Sequence, residues 1–211
     1  TCALLDNMTV KCWGSGLYGR TGYGDSDSRG DDSGEMGDAL PAVDLGTGRT
    51  ATMIAVGSHH SCALLDDATV KCWGRSNYGQ LGYSNTTTRG DGAGEMGNAL
   101  PAVSFAAGRT ATAIAAGANH TCALLDNAQV VCWGHNYYGQ LGQGTTSNIG
   151  SSTGSTVAAT STINLGTGRT AVAISAGDMH TCAVLDNATV KCWGMSSNGR
   201  LGTGNTNDLG D

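Results

Sequence analysis

Eight cysteines carry the most obvious chemical potential in this chain. They fall into four pairs with nine residues between the members: Cys2/Cys12, Cys62/Cys72, Cys122/Cys132 and Cys182/Cys192. Such pairs admit three readings: disulfides, buried free thiols, or halves of a metal site. Zinc sites favour C-x-x-C spacing with a second converging pair, and neither occurs here. His60, His120 and His180 each stand two residues before the first cysteine of a pair, giving the triplets H-S-C and H-T-C. An imidazole beside a hydroxyl and a thiol is a nucleophile–base vocabulary. A catalytic site, however, needs one asymmetric constellation, and these triplets recur unchanged along the chain. We therefore expect the histidines to hydrogen-bond a repeated turn, and we expect no catalytic residue and no enzyme.

The connection Tyr23–Leu40 is acidic, with Asp25, Asp27, Asp31, Asp32, Glu35 and Asp38. Its opening D-S-D-S-R-G has the outline of a calcium loop, but Arg29 stands where a ligand oxygen belongs. The corresponding stretch 60 residues on keeps only Asp91 and Glu95. Calcium is therefore a disfavoured reading of the loop, and the expectation is no cofactor and no metal. Arg29-Gly30-Asp31 and Arg89-Gly90-Asp91 spell an adhesion tripeptide at equivalent positions, and we read both as turns. N-x-S/T sequons place candidate glycosylation at Asn7, Asn85, Asn119 and Asn187. Asn85, in a long connection, is expected to be the most accessible of these. Asn7 and Asn187 sit in tight hairpins.

Composition limits the elements that can position these groups. The 211 residues include 34 glycines and 2 prolines, with 39% hydrophobic, 13% charged and 5% aromatic residues. That is too glycine-rich and charge-poor for a helical bundle or coiled coil. No apolar run approaches the ~20 residues of a spanning helix, so no membrane insertion is expected in this segment. A net charge of −6 gives no reason to expect nucleic-acid binding, which leans on clustered Lys and Arg.

The decisive feature is an internal repeat of 60 residues without drift. T-C-A-L-L-D at Thr1 returns as S-C-A-L-L-D at Ser61, T-C-A-L-L-D at Thr121 and T-C-A-V-L-D at Thr181. V-K-C-W-G or V-V-C-W-G begins at Val10, Val70, Val130 and Val190, and G-R-T-A recurs at Gly48, Gly108 and Gly168. Within one period, runs rich in Val, Ile, Thr and Leu predict four strands: Ala42–Leu45, Thr50–Val56, Ser61–Asp66 and Thr69–Trp73. The small residues of T-A-T-M-I-A-V-G suit a strand near the axis of a radial array. Four antiparallel strands per repeat predict an all-β fold of β-propeller blades. The blades divide the chain at 1–40 (the last two strands of one blade and a connection), 41–100, 101–156 and 157–211. Trp13, Trp73, Trp133 and Trp193 read as packing between blades.

C-A-L-L-D-N-x-T-V-K-C-W-G, followed by Y-G-Q-L-G and I-A-A-G-x-x-H-T, resembles the regulator of chromosome condensation repeat family across all 211 residues. The resemblance implies a seven-bladed propeller, which at this repeat length needs roughly 420 residues. The chain, opening in mid-repeat, is thus expected to be a fragment of a longer protein. The founding member of the family exchanges guanine nucleotide on a small nuclear GTPase, and another member binds a β-lactamase through one propeller face.

Hairpin parity bears on the cysteines. A three-residue loop such as Asp6-Asn7-Met8 pairs Leu4 with Val10 and Cys2 with Cys12, whereas a two-residue loop puts the sulfurs on opposite faces. The third loop position usually takes glycine in the left-handed region. Here it holds Met8, Ala68, Ala128 and Ala188, where the family favours glycine. Either a disulfide offsets roughly 1 kcal/mol of strain, or the register differs. Intracellular members of the family lack this pairing. Disulfides are the favoured reading, and they imply an oxidising compartment, so the expected location is extracellular, secreted or cell-surface.

The favoured function is a non-enzymatic structural or protein-interaction propeller, acting on a protein partner or by self-assembly. The alternatives are a secreted inhibitor using one propeller face and a guanine-nucleotide exchange factor; the latter needs a reducing setting and an inserted wedge that this stretch lacks. Framework motifs barely change between repeats, but the chain diverges after each Trp-Gly. The divergent segments supply Tyr18, Arg75, Tyr78, His135, Tyr137 and Tyr138, of types frequent at interface hot spots. These are the candidate interface residues.

Overall fold

A computed structural model describes all residues from Thr1 to Asp211. A hairpin of β1 (Cys2–Leu4) and β2 (Val10–Cys12) comes first. Three sheets follow: β3 (Ala51–Val56), β4 (His60–Leu65) and β5 (Val70–Gly74); β6 (Ala111–Ala116), β7 (His120–Leu125) and β8 (Val130–Gly134); β9 (Ala171–Ala176), β10 (His180–Leu185) and β11 (Val190–Gly194). Each sheet is an antiparallel meander in chain order. The first strands β3, β6 and β9 touch one another from sheet to sheet, so the small-residue strand does line the inner side. A bulge in β3 frees Thr52, whose hydroxyl donates to the Leu64 carbonyl at 3.2 Å. Thr112 does the same to Leu124.

The sheets have three strands where four were expected. Ala42–Leu45 is extended chain outside any ladder. Its one backbone tie to a strand is the Val43 N–H, which donates to the Val10 carbonyl at 2.7 Å, with the Leu45 carbonyl accepting from Lys71 Nζ of β5 at 2.9 Å. Val103 and Ile163 do likewise to Val70 and Val130. Each such segment therefore lies along the last strand of the preceding hairpin, not ahead of the strands that follow it. A tyrosine explains why no ladder is needed on that edge of β5. The Tyr83 hydroxyl accepts from the Cys72 N–H at 2.8 Å and donates to the Cys72 carbonyl at 2.9 Å, satisfying backbone groups that a fourth strand would otherwise take.

The hairpins adopt the three-residue register. Cys2 faces Cys12 and Leu4 faces Val10, and the pattern repeats in the three full sheets. Met8, Ala68, Ala128 and Ala188 have φ between 61° and 63°, the left-handed strain that the register demands. All four cysteine pairs are disulfides and no cysteine is free. The thiol and metal readings fall with that.

Both faces of the middle sheets are buried. All residues of β4, β5, β7 and β8 lie in the core, because a sheet sandwiched between two others has no solvent face. The core sits between successive sheets, with Trp73 and Trp133 fully buried and Trp193 nearly so. The last sheet has only one neighbour, and Val172, Val184 and Val190 are exposed on it.

Candidate functional site

The recurring polar residues are consumed in joining blades. His60 Nε2 lies 2.9 Å from Thr121 Oγ1 of the next sheet, and His120 Nε2 lies 2.9 Å from Thr181 Oγ1. Thr121 spends its hydroxyl proton on the Gln80 carbonyl, which also accepts from Trp133 Nε1 at 3.0 Å. Thr181, Gln140 and Trp193 repeat the arrangement. The histidine must therefore donate, which sets the neutral Nε2–H tautomer. Burial pushes the imidazole of His60 down to about 4 and that of His120 down to about 3, with weaker repulsion from neighbouring histidines. The glycine three residues earlier is fixed by the same packing. A Cβ on Gly117 would strike the His120 ring and the Gly177 carbonyl. The A-G-x-x-H, H-T-C, G-Q-L-G and C-W-G motifs are thus one interlock between blades, not a nucleophile pair.

The divergent segments assemble differently. Tyr18, from the first loop after a Trp-Gly, lies under the Arg75 guanidinium of the second, 4.9 Å from ring centroid to Cζ. Tyr78 of the second loop meets the His135 ring of the third edge-on at 4.6 Å. His135 then stacks on Tyr137 at 6.5 Å, and Tyr137 meets Tyr138 at 4.9 Å. All six candidate interface residues therefore share one rim, and Tyr137 is 68% exposed. Gln140 supports the third loop, its Oε1 accepting from the Tyr138 N–H and its Nε2 donating to His135 Nδ1 at 2.8 Å.

Sequence reasoning missed Arg20 and His59, which extend this rim. Arg20 stands where two other repeats have the glutamine of G-Q-L-G. Its guanidinium donates to the Ser15 and Ser58 carbonyls and lies 3.0 Å from His59 Nδ1. Tyr18 in turn meets the His59 ring edge-on. Desolvation, then the charges of Arg20 and Arg75, lower the His59 pKa; desolvation lowers that of His135. The break in the motif, Arg for Gln, was the available signal.

The other candidates lie elsewhere. Arg29 pairs with Asp25 at 2.6 Å, and Glu35 Oε2 accepts from the N–H groups of Gly30, Asp31 and Asp32. The tripeptide at Arg29 is thus held as a turn. The sequons reverse their expected order. Asn7 and Asn187 are exposed at hairpin tips, whereas Asn85 is half-buried with its amide nitrogen on the Tyr83 carbonyl. Asn119 Oδ1 is buried.

Profiles of the regulator of chromosome condensation (RCC1) repeat match this chain at residues 68–124 and 127–184, and a second profile of the same repeat matches 53–80, 111–140 and 171–200. The human E3 ubiquitin-protein ligase HERC2 is 33% identical over 150 residues, 71% of this chain and 3% of that protein. The structure of human WBSCR16 aligns with a TM-score of 0.74 at 20% identity, covering 99% of this chain and 48% of its own. Prp20p of Saccharomyces cerevisiae aligns at 0.65 and 21% identity, covering 93% and 41%. The two structural likenesses speak to the fold, and the chain spans less than half of each of these proteins.

Proposed function

The chain belongs to the regulator of chromosome condensation (RCC1) repeat family, and from that premise we propose that it is a non-enzymatic, extracellular propeller segment that binds a protein partner through its post-Trp-Gly loops. The observation that carries the reading is the division of labour among side chains. Repeated polar groups are buried in blade-to-blade bonds, while the unrepeated Arg75, His135 and Tyr137 gather on one rim with the recurring Tyr18, Tyr78 and Tyr138. Loops held by a rigid scaffold are where binding residues usually sit. Prp20p, of the same fold, is described with its binding to Gsp1p and histones, an instance of such a scaffold engaging proteins. The extracellular assignment rests on four closed disulfides with no free thiol, a state that oxidising compartments maintain. That same state disfavours nucleotide exchange in a reducing nucleus. Seven blades, with this chain supplying part of the ring, complete the proposal.

Hydroxyl-radical footprinting of the native assembly against the free chain tests it. Tyr137 and Tyr138 are expected to lose reactivity on assembly. Protection confined to the acidic connections, with these tyrosines still reactive, would overturn the reading.

A further inference from the structure

The arginines of this chain divide into two groups by their surroundings. Arg49, Arg109 and Arg169 each reach a carboxylate at a hairpin tip: Asp66 and Asp67, Asp126, and Asp186. Arg29 is held by Asp25. Arg20, Arg75, Arg89 and Arg200 form no carboxylate ion pair, and of these Arg20 and Arg75 stand together on the aromatic rim, where Arg75 lies over Tyr18. In a chain of net charge −6, two guanidinium groups without counterions on one aromatic surface are a local reversal of sign. The donor set points the same way. His59 Nδ1 faces the Arg20 guanidinium and His135 Nδ1 faces the Gln140 amide, so each ring keeps its proton on Nε2 and offers a donor. Arg75 lies over Tyr18 with its Nε buried and unpartnered, so the group is already partly desolvated. Aspartates border the rim at several points: Asp27 packs its backbone against Gly16 and Asp91 against Gly19, while toward the fourth repeat Asp178 lies in the His180 turn and Asp208 caps the Ser196 N–H.

Resting on the binding reading above, we propose that the rim from Arg20 and His59 through Arg75 to Tyr138 recognises an acidic peptide segment of its protein partner. Carboxylates meet the guanidinium and imidazole donors, and apolar parts of the peptide lie on the tyrosine rings. Charge-assisted bonds to arginine are the strong, directional ones, and tyrosine supplies rigid contact area. A peptide fits better than a longer polyanion, since the remainder of the molecule is acidic and repels one.

Fluorescence anisotropy with the whole 211-residue chain tests this, using a labelled peptide of alternating Glu and Tyr and its Gln-for-Glu counterpart. The acidic peptide is expected to bind at least tenfold more tightly, and to weaken several-fold between 50 and 300 mM salt. Arg75→Gln and Arg20→Gln should each reduce that affinity several-fold, while Arg109→Gln, on an already paired arginine, should leave it unchanged. Equal binding of both peptides, with loss in Tyr137→Ala, would overturn the acidic preference and leave the rim as a binding surface. No binding of either peptide would overturn it too, and footprinting of the native assembly would then decide the rim separately. Stronger competition by a heparin oligosaccharide or an oligonucleotide than by unlabelled acidic peptide would replace the peptide with another polyanion.

Discussion

Above pH 6.5 the imidazoles of His60 and His120 add no acid dependence, because they are neutral both folded and unfolded. Below that value the unfolded chain takes up protons, whereas burial keeps the folded rings neutral until about 4 for His60 and about 3 for His120. Stability due to these two residues is therefore full above pH 6.5 and is lost as pH falls toward 4 and 3. Each contributes a slope of up to about 1.4 kcal/mol per pH unit. Urea titrations between pH 7 and 4 should show this fall, and a flat profile would contradict the buried tautomer. His120→Ala should cost about 1–3 kcal/mol by leaving Thr181 Oγ1 without its donor, and should flatten part of the acid limb. That the repeated histidines are structural was legible from their recurrence alone. Their partners were not, because Thr121 and Thr181 lie in the next repeat and no local spacing relates them to His60 and His120.

Each β-hairpin balances two known terms. A left-handed alanine at position 68, 128 or 188 costs about 1 kcal/mol, and closing the loop between paired cysteines contributes about 2.5–3 kcal/mol by restricting the unfolded chain. The bridge wins, so the hairpin keeps its register without glycine. Replacing both Cys62 and Cys72 by Ser should lower unfolding free energy by about that amount in denaturant melts. Partial reduction followed by alkylation and mass spectrometry should open Cys182–Cys192 ahead of the fully buried Cys62–Cys72 and Cys122–Cys132, with the reverse order counting against the burial described. Register could be inferred beforehand because only one loop length puts both sulfurs on one face. The outer segment at Ala42–Leu45 could not. A stretch tied to its neighbour by a single N–H, with a tyrosine hydroxyl serving the rest of the edge, has a strand's composition without its ladder.

At the scale of the molecule, a 60-residue repeat with apolar residues on both faces implies that every sheet needs two neighbours, and that much followed from pattern. The last sheet has one, leaving Val190 60% exposed and Val184 37% exposed, while the equivalent Val70, Val130, Leu64 and Leu124 are buried. The isolated chain should therefore self-associate in sedimentation velocity, and Val190→Lys should shift it toward monomer with little change in melting temperature. A strictly monomeric wild-type chain would argue against that face as an adhesive surface. The bridges and the interlock also differ in how they meet a pulling force. Bonds such as His60 to Thr121 run between blades and can part, but the chain between Cys62 and Cys72 is shunted out of the load path by a covalent shortcut. At about 3.6 Å per residue, a 60-residue blade drawn out of the array lengthens by roughly 180 Å instead of about 215 Å. Its hairpin tip then travels along the stretched tether as a small folded bead that tension cannot unravel.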